Sequence, residues 1–259
     1  MTASLKENTD PGASPRGQEL TLCLDFGNTR LKAALFGDGS LQEVFYLRAD
    51  AAVHLAELLD AYRPEHSILS SVIDHDGAVD ALLAARTRFH RLSSHSKLPF
   101  TIPVGKPESV GADRLAVAAA AVALFPGRHN LVITLGTCIT YNFIAQEGAL
   151  VGGAIAPGMA MRFRSMHEYT ARLPLAEGAW NVPLVGYDTV SNLQSGVVLG
   201  MAFEIDGFIE AYRARYGNFN ALLTGGDAPT LTPHLKNKIF ADPELIFKGL
   251  YAIRRVNTA

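Results

Sequence analysis

The densest polar cluster in an otherwise apolar stretch is Asp25-x-Gly27-Asn28-Thr29-x-x-Lys32. A glycine in a tight turn lets backbone N–H groups close on an anion. Asn28 and Thr29 add neutral donors, Lys32 a point positive charge, and Asp25 a carboxylate able to hold the water shell of Mg²⁺. The same residue types also favour a plain β-turn, so the motif alone leaves both readings open. It is neither a P-loop nor a dinucleotide fingerprint, because the glycine spacing and the following helix are missing.

Gly111-Ala112-Asp113-Arg114 stands where a helical pattern begins. Asp113 there either complements the helix dipole or accepts the proton of a hydroxyl. Arg114 is either a surface residue or a grip for an anionic substrate. Gly136-Thr137 with Thr140 could hold a second phosphate, and Gly225-Gly226 would allow close approach to a flat ligand such as adenine. His167, Glu168 and Tyr169 suit a surface or an interface as well as catalysis, and Trp180 suits a loop anchor. The histidines lack metal-ligand spacing, and no HExxH, paired CxxC or GxSxG motif is present.

The elements that must position these residues follow from hydrophobic periodicity. Strands are expected at Leu20–Leu24, Arg30–Phe36, Leu41–Leu47, His66–Val72 and Arg88–Leu92. Helices are expected at Ala51–Tyr62, Gly77–Thr87 and Asp113–Phe125. The strand–turn–strand pattern then recurs 109 residues on, Leu131 to Cys138 repeating Leu22 to Thr29. A strand at Leu150–Ile155, a helix at Met159–Ala171, a long helix within Val190–Tyr216, a strand at Phe219–Leu223 and a helix at Pro243–Arg255 complete the pattern. Strands alternating with helices indicate an α/β fold. Residues 1–18 carry no apolar period and read as a disordered tail, followed by halves at 19–128 and 129–259.

Composition narrows the function classes. The 259 residues include 23 Lys and Arg against 25 Asp and Glu, a net charge of −2 that gives no broad field for nucleic acid. The longest apolar run, Leu115 to Phe125, is far short of a membrane span. Cys23 and Cys138 cannot form a disulfide framework and read as buried free thiols of a reducing cytoplasm.

Taken together, the segments resemble the type III pantothenate kinases, the Baf family, within the acetate and sugar kinase, Hsc70 and actin superfamily. The resemblance runs from Leu22 to Asn257. It is carried by DFGNTRLK (Asp25 to Lys32), GADR (Gly111 to Arg114), GTCIT (Gly136 to Thr140), GGAIAPG (Gly152 to Gly158) and ARLP (Ala171 to Pro174). GYDT (Gly186 to Thr189), QSG (Gln194 to Gly196) and LLTGGDA (Leu222 to Ala228) extend it. It implies two related ribonuclease H-like (actin-like ATPase) domains with ATP in an interdomain cleft. The implied activity is ATP-dependent phosphorylation of pantothenate, the first step towards coenzyme A, in a cytoplasmic homodimer whose substrate site lies near the interface.

By the same resemblance, Asp25, Phe26, Gly27, Asn28, Thr29, Arg30, Leu31 and Lys32 hold the phosphates of ATP, and Thr137 also binds ATP. Asp25 holds Mg²⁺ through water. Asp113 is the general base, and Gly111, Ala112, Asp113, Arg114 and Thr189 line the pantothenate site. A monovalent cation, K⁺ or NH₄⁺, is implied at position 134. There the family usually has Asp, whereas Thr134 supplies one neutral oxygen, so cation affinity should fall. Many members also have Tyr where this chain has Val104. These two departures keep an alternative in view, a weakened or non-catalytic member acting as a regulator or ATP-binding protein.

Overall fold

The apolar run LTLCLDF forms a central strand, β1 (Leu20–Phe26), buried on both faces except at Asp25. A turn returns the chain as β2 (Leu31–Gly37), and Asp38-Gly39, both with positive φ, turn it again into β3 (Ser40–Tyr46). Helix α1 (Ala51–Tyr62) stops at Arg63 in the left-handed conformation, one residue before Pro64. Strand β4 (His66–Ser71), helix α2 (Gly77–Arg86) and strand β5 (Arg88–Arg91) complete the first sheet. Asp76 caps α2 by accepting from the Ala78 N–H. The computed structural model describes residues 19–48, 50–103 and 105–257, so the expected tail (1–18) and Val104 lie outside the described residues.

The remaining elements are α3 (Ala112–Leu124), β6 (Asn130–Leu135), β7 (Cys138–Ala145), β8 (Ala149–Pro157), α4 (Met159–Glu168) and α5 (Thr189–Gln194). They continue with α6 (Gly200–Tyr216), β9 (Asn220–Thr224), α7 (Ala228–Leu231), β10 (Phe240–Ala241) and α8 (Leu245–Val256). The long helix expected within Val190–Tyr216 is α5 and α6 joined by a wide π turn at Ser195–Leu199.

The first sheet runs β3-β2-β1-β4-β5 and the second β8-β7-β6-β9-β10. In both, the first three strands form an antiparallel meander, the fourth pairs in parallel with the central strand, and the fifth pairs in parallel with the fourth. The second copy expected from the sequence is therefore a second sheet of the same topology, with β6 in the place of β1.

By contact the chain forms two compact units, one up to Arg91 and one from Leu92 onward. In the first, Leu22, Leu24 and Phe26 of β1 pack with Leu55 and Leu59 of α1 and Leu83 of α2. In the second, Leu131, Ile133 and Leu135 of β6 pack with Phe163 of α4 and Met201, Ile205 and Ile209 of α6. Residues 92–128 group with the second unit because Ala-rich α3 lies along α8. That crossing is close: a Cβ on Gly249 would lie 1.7 Å from the Ala116 carbonyl oxygen.

Gly249→Ala should therefore cost about 1–3 kcal/mol through overpacking. Gly207→Ala, inside α6 with open space around its Cβ position, should instead gain about 0.5–1 kcal/mol. Urea denaturation midpoints of the two variants check the opposite signs.

Candidate functional site

The antiparallel register of β1 and β2 sets Asp25 directly opposite Lys32, with Phe26 opposite Leu31. The loop between them closes through the Gly27 N–H donating to the Arg30 carbonyl at 3.1 Å. Asn28, Thr29 and Arg30 are exposed, Asp25, Gly27, Leu31 and Lys32 are half-buried, and Phe26 is buried. Arg30 and Lys32 both lie 5.7 Å from the ring centroid of Tyr46 on β3, which keeps two positive charges on one side of the hairpin. One carboxylate among neutral donors and two cations suits Mg²⁺ held largely by water and phosphate oxygens. Among the described residues, no three acidic, His or Cys side chains cluster as a metal site of their own.

Thr134 occupies the place of Asp25 in the second sheet. It stands opposite Thr140 on β7 and beside Thr224 on β9, as Asp25 stands opposite Lys32 and beside Ser70. The row across the first sheet carries both charges, whereas the row across the second is neutral. The second turn is also one residue shorter, closed by the Gly136 N–H on the Cys138 carbonyl. Thr137 is exposed at its tip. Cys138 is half-buried, not buried as expected, because it begins β7 at the turn. The Thr134 hydroxyl is buried with no hydrogen-bond partner. A row of neutral hydroxyls without a carboxylate offers a cation no opposite charge.

The amides of Gly111–Arg114 open α3, with Gly111 as its cap and Asp113 at the second helical position. The Asp113 carboxylate folds back over Gly111, and a Cβ at residue 111 would fall 2.6 Å from its Oδ1. Arg114 Nε donates to Asn142 Oδ1 at 2.6 Å, and Asn142 Nδ2 donates to Thr140 Oγ1 at 3.2 Å. Arg114 and its anchor therefore continue onto the threonine row of the second sheet. Burial pulls the Arg114 guanidinium below its ordinary value, opposed by the neighbouring Asp113 charge.

Thr189 is the first residue of α5, whose start is closed by a reciprocal Asp188–Ser191 capping box. It opens on a cavity of about 300 Å³ lined by Met166, Leu173, Asn192, Leu193 and Gly196. Three features escape a reading of the sequence. Asn142 sits in an apolar strand, and its partner is 28 residues away. Asp227 accepts from the Met159 N–H at the start of α4. Trp180 is no anchor, being 74% exposed, while neighbouring Val182 is buried. A polar residue inside an apolar run was the available signal for Asn142.

Asp227 ends the Gly225-Gly226 turn, and a Cβ on Gly225 (φ +105°) would meet the Leu135 carbonyl oxygen at 2.2 Å. The Asp227 N–H also donates to Leu135 O, so the β9–α7 loop is stacked backbone to backbone on the end of β6.

The repeated sheet order defines the class, an α/β protein of two units, each built on a mixed five-stranded sheet of the same topology. A solved structure from Campylobacter jejuni, described as a Baf family transcriptional activator, shares this fold. Its TM-score is 0.59 at 22% identity, covering 91% of this chain and 98% of that one. A family model for type III pantothenate kinase matches residues 21–211. The type III pantothenate kinase of Cytophaga hutchinsonii is 38% identical over 92% of this chain and 100% of its own length. That of Flavobacterium johnsoniae is 38% identical over 89% and 96%. The chain belongs to the type III pantothenate kinase family.

Burial raises the Asp227 carboxyl above its ordinary value, and the Met159 N–H partly offsets this. A raised folded value means stability present at low pH is lost as pH climbs through it. Asp227→Asn keeps an acceptor for Met159 and removes the charge. Its denaturation midpoint should equal or exceed that of the parent at pH 7, with the gap closing towards pH 4. A variant clearly less stable at pH 7 would contradict this.

Proposed function

We propose that this chain transfers the γ-phosphoryl group of ATP to the primary hydroxyl of pantothenate, giving 4′-phosphopantothenate and ADP. Beyond family membership, the observation that carries this reading is the start of α3. There a carboxylate and an anchored guanidinium stand on adjacent residues of one helical turn. Asp113 takes the proton of the attacking hydroxyl as the bond to phosphorus forms, and the phosphoryl group leaves the bridging oxygen of ADP. Arg114, held by Asn142, pairs with the pantothenate carboxylate. Gly111, Ala112 and Thr189 complete the pantothenate contacts.

On the same reading, the backbone amides of the Asp25–Lys32 hairpin and the Lys32 ammonium hold the phosphates, and Thr137 contributes a second contact to ATP. Asp25 would hold Mg²⁺ through water, and the ion would supply charge neutralisation on the phosphate oxygens. Phosphoryl transfer needs mainly positioning and charge stabilisation, which this set of turns, one base and one guanidinium supplies. Among the described residues, no helix is long and apolar enough to cross a membrane. A cytoplasmic enzyme, and one that does not bind nucleic acid, accords with the two free cysteines and the small net charge.

Self-association into a homodimer is part of the proposal. Trp180, Leu184, Val185 and Tyr187 are 73–83% exposed within eight residues, directly before Thr189. Exposed apolar side chains at that density mark an interaction surface.

Purified protein with ATP and Mg²⁺ should yield 4′-phosphopantothenate, and absence of product despite nucleotide binding would sink the proposal in favour of a non-catalytic ATP-binding role. Asp113→Asn should lower kcat by about 10²–10⁴-fold, with nucleotide affinity and thermal midpoint held.

The neutral row at Thr134 favours an enzyme with little dependence on K⁺ or NH₄⁺. Activity should change less than about threefold when K⁺ is exchanged for a bulky organic cation, since one uncharged oxygen adds little Coulombic attraction. Thr134→Asp should introduce a clear K⁺ stimulation, together with K⁺-dependent thermal stabilisation. Strong K⁺ dependence in the natural protein would refute this.

A further inference from the structure

Ser71, His75, Asp80 and Arg91 form a connected chain in the first unit that the reaction above leaves unused. Ser71 Oγ lies 3.0 Å from His75 Nδ1, and His75 Nε2 lies 2.8 Å from Asp80 Oδ1. Arg91 Nη1 donates to Asp80 Oδ2 at 2.7 Å. The His75 side chain is only 7% exposed although it stands in the short loop joining β4 to α2, where exposure is the rule.

A Ser–His–Asp chain suggests an activated nucleophile. Two bonds speak against it here. The Ser71 hydroxyl also bonds the Ile73 carbonyl at 2.9 Å. The adjacent Val72 N–H, the nearest donor for an oxyanion, is committed to the Phe26 carbonyl at 3.0 Å. The chain points instead at β1. The His75 ring meets the Phe26 ring edge-on, 5.3 Å between centroids at 83°. Phe26 is fully buried and directly precedes the Gly27–Arg30 turn. The Val72–Phe26 bond extends the parallel β1–β4 pairing, in which Phe26 is already aligned with Ser71.

We propose that His75 is a positioning residue for the phosphate hairpin. Bonded at both ring nitrogens, it clamps the β4–α2 loop against Phe26 and so fixes the direction in which the amides after Phe26 point. The physical gain is preorganisation: a turn held at its base loses less conformational freedom when it closes on an anion. The other anchors of the clamp are rigid elements, α2 through Asp80 and the end of β5 through Arg91. The inference deepens the proposed function and rests on its assignment of Asp25 to Lys32 to the phosphates of ATP.

The test compares the full-length parent with His75→Ala, Ser71→Ala and Lys32→Ala. Calorimetric titration with the Mg²⁺ complex of a non-hydrolysable ATP analogue gives affinity, and steady-state kinetics give KM for each substrate. His75→Ala should weaken the analogue and raise the KM for ATP by about fivefold to tenfold, the scale of one or two lost hydrogen bonds. The KM for pantothenate should stay within about twofold of the parent on the same scale. Ser71→Ala should move the same quantities in the same direction by less. A merely structural role would lower the thermal midpoint and the active fraction without moving the KM for ATP. The proposal is overturned if His75→Ala binds the analogue like the parent while Lys32→Ala does not. Should His75→Ala fail to fold, the same outcome for Ser71→Ala overturns it. If Lys32→Ala also binds normally, the hairpin assignment itself fails, and this inference falls with it.

Discussion

In each sheet one antiparallel register decides where the chemistry stands. The pairing of β1 with β2 puts Asp25 against Lys32, and that of β6 with β7 puts Thr134 against Thr140. Side chains alternate along a strand, so a slip of one residue would carry every one of them to the opposite face. Leu22, Leu24 and Phe26 must meet the α1 and α2 core, which leaves Asp25 on the other face, with Thr21 and Cys23. Leu131, Ile133 and Leu135 likewise meet the α4 and α6 core, leaving Thr134 on the face with Asn130 and Val132. The polar positions are thus fixed by apolar ones, and the burial that stabilises each sheet also sets the face on which Asp25 and Thr134 stand.

The two copies keep this geometry and differ in charge. The first row, Ser70–Asp25–Lys32, carries a carboxylate and an ammonium at the mouth of a four-residue turn. The second, Thr224–Thr134–Thr140, is uncharged beside a tighter turn. A hydroxyl is easily accommodated at the end of a buried strand, whereas an unpaired carboxylate there would suffer desolvation without compensation. In the first copy a cation, Lys32, stands across the register from the carboxylate. The second row holds no cation, so an Asp at position 134 would have none across the register from it. Threonine needs none, and the orphaned hydroxyl is the mild residual cost.

Much of this was legible in the sequence because local signals and the global fold agree. Most strands and helices follow from hydrophobic period and from turn residues, and the recurrence at 109 residues correctly announces a second sheet. The short elements were not legible: β10 has two residues and α7 four, too few to show any period. The α4 helix stops at Glu168 rather than running to Ala171. Gly249 resembles any helix-weakening glycine, and only its approach to Ala116 across the α3–α8 crossing accounts for it. Trp180 misleads because a large aromatic is expected to bury itself, yet here it stands exposed with three other apolar neighbours.

The site residues show the same division between chemistry that is local and chemistry that is not. Asp25 and Lys32 are seven positions apart and joined by a turn, so their pairing follows from the hairpin alone. Arg114 depends on Asn142, which only the packing of α3 against the second sheet brings within reach. A guanidinium held at Nε by a buried amide keeps its terminal nitrogens in a fixed fork. The amide is itself held by the Thr140 hydroxyl, so the orientation of the arginine traces back to β7. Thr140 is also the cross-strand partner of Thr134. The neutral row of the second sheet is therefore the floor on which Arg114 is mounted. A carboxylate at position 134 would bring a negative charge into that floor and change the field felt by Arg114 as well as the affinity for a cation.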